Sequence, residues 1–367
     1  MPTVLHVLSG LEVGGKERVA LQLARRAARE GFASRFVLFD TPFRSVEQDF
    51  DPGTIPVRFL RRGPGLDLRF AGALARLLRE LQVDVVHAHN DSAIFYACVA
   101  ARLVGRRRPG VCATFHVRPG HATRSGRLLT CLASRRAGRV TAVSAELAEF
   151  VVREGWAGRC ETLWNGVDTE EFSPQGAVGG WRERLGIPAS ALLVAHIGRV
   201  DPIKRQADLV LAARELARRG VELALVLVGE GLPGAELQSL AAADAHVRFV
   251  SRVVDVASFL REVDVFVVCS SHEAAPRVLL EAMACGRAIV ATKVGGMVDM
   301  VRAAGGDPCA VLVEPGRPAD LAEALLHLAG DRQARAELGR RARARAADFS
   351  ADDEWRAWRR IYESLLP

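Results

Sequence analysis

No apolar run in this chain approaches the roughly 20 residues that a membrane-spanning helix needs. Met1-Pro-Thr leads directly into Val4-Leu-His-Val-Leu8, too short for the apolar region of a secretion signal and without a cleavage site. The expectation is a cytoplasmic protein. The seven cysteines (98, 112, 131, 160, 269, 285 and 309) form no CxxC pair and no metal-ligand spacing. Dispersed and odd in number, they read as reduced core residues, which argues against a disulfide framework and against structural zinc. Acids are absent from one stretch: none stands between Asp91 and Glu146, where there are ten arginines (102, 106, 107, 108, 118, 124, 127, 135, 136 and 139). The stretch lacks the aromatic-interleaved basic motif of nucleic-acid readers, so neither DNA nor RNA is an expected partner.

What is present fits an ordinary globular protein, with 49% hydrophobic and 25% charged residues. The length of 367 residues suits two domains, each with its own core. The net charge of +7 is uneven. Residues 1–170 hold 25 basic and 17 acidic side chains, and the remainder 25 and 26. The basicity therefore belongs to the first half. It is either a solvated face or a surface for an anionic partner, lipid headgroups or a phosphate-bearing acceptor.

Short β-rich runs alternate with helical patterns, as in a parallel sheet with helices on both faces. The first series runs Val4–Leu8, Arg35–Phe39, Val57–Leu60, Asp84–Ala88, 111–115, Arg139–Val143 and Glu161–Leu163. The turn-rich segment from Asn165-Gly-Val-Asp168 to Gly179-Gly180 reads as a linker. The series then restarts with Leu192–Ile197, Leu223–Val228, 247–250, 264–268, Ala288–Ala291 and Ala310–Val313, with helices between, including one near 235–242. The fold class is α/β: two doubly wound Rossmann-like domains, 1–168 and 169–350, facing across a cleft. The last helix, within 351–367, returns to the first domain. Ligands in such sheets sit at the carboxyl ends of the strands.

Chemistry concentrates in Ser270-Ser-His-Glu273-Ala-Ala-Pro-Arg277-Val-Leu-Leu-Glu281. Pro276 suits the first turn of a helix, where its missing N–H costs nothing. Glu273 then stands at the helix mouth and Glu281 about a turn and a half inside. Two acids around one N-terminus can read hydroxyls while free amides hold an anion. Taken alone, the pair could equally be a general acid and base. In Ile197-Gly198-Arg199-Val-Asp-Pro-Ile-Lys204 two cations flank a turn after a strand, placed to meet one diphosphate. The only Asp-x-Asp, Asp49-Phe-Asp51, precedes Pro52-Gly53 and reads as surface loop, so no metal is implied.

Together these elements resemble family 4 of the retaining glycosyltransferases, of the GT-B fold. The resemblance rests on Glu273-x7-Glu281, Gly198-Arg199-x4-Lys204, Asn165-Gly-Val-Asp168, Gly14-Gly15-Lys-Glu17, Asp84-Val-Val-His87-Ala-His89 and Gly295-Gly296, in order along nearly the whole chain. It implies transfer of a sugar from a nucleotide-diphospho-sugar, most simply a UDP- or GDP-sugar, to an acceptor hydroxyl. The product is an α-glycoside in polysaccharide, lipopolysaccharide or glycolipid synthesis, and no tightly bound cofactor or metal is required. Arg199 and Lys204 would stabilise the departing diphosphate. Glu281 would bind ribose, and Glu273 with the amides of Ala274, Ala275, Pro276 and Arg277 the transferred sugar, Pro276 lacking its own. Ser251, Arg252 and Val253 would adjoin the base, and Gly14 and Gly15 would let the first loop approach the substrates. His116 would reach the donor sugar from the first domain. Lys16, His89, Asn90, Arg118 and His121 are acceptor-side candidates, the alternative being ordinary polar loop residues.

Three positions depart from the family pattern. Ala274-Ala-Pro-Arg277 replaces a common Gly-Phe pair, Arg205 stands where Gly is usual, and Trp164 precedes Asn165-Gly. Arg277 either meets an anionic donor sugar such as a uronic acid or points to solvent. The helix around Arg124, Arg127, Leu128 and Arg135 suits a peripheral contact with an anionic membrane. The chain is expected to be a monomer or homodimer, with a hydroxyl acceptor that is either free or lipid-linked. The alternatives on this fold are a nucleotide-sugar epimerase and a non-catalytic binding module; nothing signals the pyridoxal lysine of a phosphorylase.

Overall fold

The computed structural model describes residues 1–10, 15–40, 53–120, 124–231, 237, 239–240, 244–302 and 306–367. Gly14, His121, Asp49-Phe-Asp51 and most of the helix expected near 235–242 lie outside them. The chain divides into two compact units, Met1–Asn165 with Asp353–Pro367, and Gly166–Asp352.

The first unit is a seven-stranded parallel sheet with the order β3-β2-β1-β4-β5-β6-β7. Its strands are β1 (Thr3–Leu8), β2 (Ala33–Leu38), β3 (Val57–Phe59), β4 (Val85–His89), β5 (Gly110–Phe115), β6 (Arg139–Ala142) and β7 (Glu161–Thr162). The helices between them are α1 (Gly15–Arg29), α2 (Leu68–Glu80), α3 (Asp91–Leu103), α4 (Arg124–Ser134) and α5 (Ala145–Arg153). Asp67 caps α2 by accepting from the amides of Arg69 and Phe70, and Ser144 caps α5 through the Leu147 amide.

The second unit is a six-stranded parallel sheet ordered β10-β9-β8-β11-β12-β13. It comprises β8 (Leu192–Ile197), β9 (Leu223–Val228), β10 (Val247–Val250), β11 (Val265–Val268), β12 (Ala288–Thr292) and β13 (Val311–Val313). Leu-Ala-Leu-Val-Leu-Val in β9 is buried at every position, because helices cover both faces of a parallel sheet. The helices are α6 (Trp181–Arg184), α7 (Gln206–Arg218), α8 (Val256–Leu260), α9 (Arg277–Ala284), α10 (Met297–Val301), α11 (Pro318–Gly330) and α12 (Arg332–Ala346). Three of these, α6, α8 and α10, are missing from the sequence reading. Four or five residues complete too little of a 3.6-residue period to show a pattern.

In each sheet the strand order reverses once, between β1 and β4 in the first unit and between β8 and β11 in the second. Such switch points open the crevice where this fold class binds ligands.

The last helix, α13 (Ala351–Leu365), returns to the first unit. Trp355, Trp358 and Tyr362 recur at three- and four-residue spacing, hence on one face. They pack with Val4, Val19, Leu23, Val85 and Cys112. Truncating a buried tryptophan removes roughly 3–5 kcal/mol. Trp358→Ala should therefore lower the urea midpoint by that equivalent with an unchanged slope. A loss below about 1 kcal/mol would show that the helix adds little to the first unit's core.

Candidate active site

In the second unit the loops leaving β8 and β11 are tied together at the switch point. The Ser271 amide donates to the Ile203 carbonyl at 2.8 Å, and Cys269 Sγ lies 3.1 Å from the Lys204 carbonyl. Lys204 Nζ reaches Glu273 Oε1 at 2.5 Å, and Ser270 Oγ donates to the same oxygen at 2.8 Å. Asp201 caps the short 3₁₀ turn Pro202–Lys204, which ends at Arg205 with φ 52° and ψ 39°. That left-handed geometry explains why Gly is usual there. Arg205 offsets its cost, about 1–2 kcal/mol, with a two-pronged bond to Asp208 at 2.6 and 3.1 Å.

Gly295 holds the β11 loop closed from the other side. Its φ is +49°, and a Cβ there would stand 1.7 Å from the Glu273 carbonyl oxygen, so no other residue fits.

Glu281 lies within α9 at 2% exposure. Arg277 Nη2 is 3.8 Å from its Oε1, an i,i+4 pair in which the arginine side chain is 12% exposed. Glu281 Oε2 and Arg277 Nε are both buried without a hydrogen-bond partner among the described residues. The solvent-facing alternative for Arg277 is thus overturned: its guanidinium is packed beside Glu281. No side chain caps the N-terminus of α9, where Pro276 occupies the cap position rather than the first turn.

The remaining donor-side residues are spread around this core. Arg199 is 59% exposed and 3.5 Å from Asp201 Oδ2. Gly198 lies over His196, whose Nε2 would be 3.1 Å from a Cβ there. After β10, Ser251 and Arg252 are exposed and Val253 is buried.

The first unit gathers histidines around its own switch point. His6 in β1 is in register with His87 in β4. His6 Nδ1 lies 3.2 Å from His89 Nε2, and His89 Nδ1 lies 2.9 Å from His116 Nε2. His87 places Nδ1 2.9 Å from the Tyr362 hydroxyl and Nε2 2.8 Å from Thr114 Oγ1. Burial drives all four toward neutrality: His6 and His116 fall to about 3, and His87 and His89 well below their ordinary value. In the second unit burial takes His196 to about 4, while its Nδ1 lies 3.0 Å from the Val267 carbonyl.

Asn90 adopts φ 67° and uses Oδ1 to accept from the His116 amide at 2.9 Å. Arg118 is joined to Glu146 and stands over the Phe150 ring at 4.9 Å. Lys16 pairs with Glu17 at 3.1 Å. Gly15 opens α1 with nothing within 4 Å of where a Cβ would be.

Two family models cover most of the chain, "Glycosyltransferase Family 4" over residues 13–171 and "Glycosyl transferases group 1" over 180–345. The chain belongs to the family 4 glycosyltransferases. It is 27% identical over 343 residues to the N-acetyl-alpha-D-glucosaminyl L-malate synthase of Bacillus anthracis, covering 90% of this chain and 88% of that one. It is 35% identical over 219 residues to a D-inositol 3-phosphate glycosyltransferase of Saccharomonospora viridis, covering 56% of this chain and 48% of that one. Among solved structures, Anabaena HepE in complex with UDP-glucose superposes with a TM-score of 0.83 at 24% identity, covering 99% of this chain and 100% of that one.

Within this glycosyltransferase the structure brings together Lys204, Glu273 and Ser270 in one cluster and Arg277 with Glu281 in another. It overturns the alternative of His89 as an ordinary loop residue: β4 runs one residue beyond the expected Ala88 to include it, and His89 is 1% exposed with both nitrogens engaged. Sequence reasoning gave no role to His6, His196, Ser270 or Tyr362. A histidine inside an otherwise apolar strand was the available signal for the first two; the others carried none. The ligand nitrogens of His6, His87 and His89 also lie within 4.8 Å of one another, a grouping the sequence spacing did not suggest.

The buried histidines set a pH dependence. Their unfolded forms protonate near 6.5, whereas the folded protein resists protonation until far lower, so the unfolded state binds more protons between those values. Stability is complete above about pH 6.5 and is lost as pH falls, by about 1.4 kcal/mol per pH unit for each histidine held neutral. Circular dichroism should show cooperative unfolding on acidification from pH 6.5 toward 4, and His6→Phe should move that transition to lower pH. Undiminished stability at pH 4 would contradict the neutral assignment.

Proposed function

We propose that this glycosyltransferase acts with retention, moving a sugar from a UDP- or GDP-sugar to an acceptor hydroxyl and forming an α-glycoside without a metal in the step. The observation that carries the reading is Glu281: a buried carboxylate at the second unit's switch point with one oxygen lacking any described partner. Such an oxygen is costly unless a ligand supplies donors, and a ribose diol supplies two. On the loop leaving β8, Lys204 and Arg199 provide the positive charge a departing diphosphate requires. Glu273 and the backbone amides of Ala274, Ala275 and Arg277 are assigned to the sugar, and the backbone of 251–253 to the base. HepE, which carries UDP-glucose in its solved complex, supports a uridine nucleotide as the first donor to test.

In the proposed step the bond from the anomeric carbon to the diphosphate breaks as the acceptor oxygen bonds that carbon from the same face. The proton of the acceptor passes to the departing phosphate oxygen. No side chain need act as nucleophile, so catalysis rests on positioning and charge. Arg277 is assigned to holding Glu281.

The acceptor is proposed to carry an anionic group. The first half of the chain is basic, and the malate and inositol 3-phosphate in the two relatives' names are both anions. Lys16 and Arg118 are its proposed contacts, whereas Asn90 and His89 act from behind through His116.

Donor binding should appear as a thermal shift: a ligand at 100 times its Kd adds about 2.7 kcal/mol to stability. Lys204→Ala and Glu281→Ala should each lower kcat/KM about 10–100-fold or more, the worth of a charge-assisted bond, and EDTA should leave turnover unchanged. No shift and no turnover with UDP-, GDP-, ADP- or TDP-sugars would overturn the donor assignment.

A peripheral membrane contact is proposed for α4, where Leu128, Leu129 and Leu132 are 60%, 38% and 40% exposed beside Arg124 and Arg127. Cosedimentation with phosphatidylserine-rich vesicles should fall with salt and be lost in Leu128→Glu/Leu132→Glu. No binding at low salt ends this reading.

A further inference from the structure

The imidazole chain beneath His116 is not used by the proposed reaction. His116, His89 and His6 are strung in line at 2.9 and 3.2 Å, and their exposures are 8%, 1% and 0%. The far end is blind. His6 Nε2 is buried with no hydrogen-bond partner among the described residues, and Phe36 stacks on the ring at 5.2 Å. At the near end the chain takes up Nε2 of His116 and leaves Nδ1 for a ligand.

A neutral imidazole has one N–H and one bare lone pair, so three in a row have two proton orders. In one, His6 Nδ1–H donates to His89 Nε2, His89 Nδ1–H donates to His116 Nε2, and His116 turns an N–H outward at Nδ1. In the other every proton is reversed. His116 then offers only a lone pair, and the last proton sits on His6 Nε2 with nothing to receive it. A buried N–H without an acceptor is the costlier orphan, so the first order prevails.

We infer that His6 and His89 are positioning residues that lock His116 in the Nδ1–H tautomer, making it a fixed, neutral hydrogen-bond donor to an oxygen of the bound sugar. Only the identity of that oxygen rests on the proposed glycosyl transfer. The lock itself is a property of the folded first unit. The blind end also rules out a proton wire, since a proton entering at His116 has no exit at His6.

A metal site among the same residues is disfavoured. His87 spends both nitrogens on Tyr362 and Thr114, and His89 both on the chain, so only His6 Nε2 offers a bare lone pair. The groups that act on the charge of the chain are Lys16 on α1, His87 on β4 and the other imidazoles, none of them a carboxylate able to hold an imidazolium.

The test is the long-range proton–nitrogen spectrum of the full chain labelled with ¹⁵N at histidine. His6, His89 and His116 should each carry the proton on Nδ1 and stay unchanged between about pH 6 and 8, above the acid transition. Protonation of His116 at Nε2, or an imidazolium in that range, overturns the lock, as does displacement of these signals by equimolar Zn²⁺.

His6→Met replaces the donor with a neutral side chain that can only accept, so an Nε2–H on His89 gains a partner and the proton order can reverse. It should admit the Nε2–H tautomer at His116 and lower kcat/KM for the nucleotide sugar roughly 3–10-fold, the worth of one hydrogen bond, with affinity for the bare nucleoside diphosphate unchanged. A folded variant with a pure tautomer and full kcat/KM would refute the inference. If the variant does not fold, the wild-type spectrum decides alone. A wild-type protein with the Nδ1–H pattern but no turnover of any nucleotide sugar supports the lock and refutes the glycosyl transfer.

Discussion

The central strands of a parallel sheet covered on both faces leave little room for a charge, and here β1, β4, β5, β8, β9, β11 and β12 carry no carboxylate, lysine or arginine. The placement of the candidate site follows from that constraint. Leu192–Ile197, Leu223–Val228 and Val265–Val268 are almost wholly apolar, and the first charged side chains, Arg199 and Glu273, appear only after a strand has ended. The strand order reverses once in each unit, and the loops at that reversal are where backbone amides, cations and carboxylates can meet without being buried by a neighbouring crossover. The exceptions obey the same rule in another way. His6, His87 and His196 lie inside strands, and burial keeps them uncharged.

This is also why so much of the chain was legible. Mainly apolar runs of four to six residues, bounded by turn residues, gave three strands of the second unit their observed limits, and the repeated strand–helix alternation gave the two sheets. The site was legible where its residues are neighbours in sequence: Gly198 to Lys204 form one loop, and Glu273 to Glu281 one helix mouth. It was not legible where the sheet does the joining. His6 meets His87 because β1 pairs with β4, a register no local pattern reports across 81 positions. Arg277 was ambiguous for a related reason. Its spacing to Glu281 permits an ion pair on a surface or in a core, and only the packing around α9 decides.

The departures from the family pattern have different standing. Arg205 is a local cost met locally, since the left-handed backbone that glycine would adopt freely is held by the bond to Asp208. Ala274 to Arg277 is more consequential, because it inserts a buried cation beside the carboxylate assigned to ribose. A buried pair of this kind yields little net stability but becomes expensive when one partner is removed. Its retention is therefore better explained by what it orients than by what it stabilises, with Glu281 held so that one oxygen stays bare.

The same reasoning applies to Lys204. In the described structure its ammonium rests on Glu273, whose Oε1 also accepts from Ser270. On the proposed reading the carboxylate holds the cation at the mouth of α9 before the diphosphate binds, sparing the ordering of a flexible four-carbon side chain at the moment of binding. A diphosphate does not have to break this contact, because an ammonium has three donors and can serve both anions. On that reading Glu273 has two effects of opposite sign on the donor: it orders Lys204, and its charge opposes that of the phosphates. Gly295 makes this arrangement possible, since its missing side chain leaves room for the Glu273 carbonyl to close down on it.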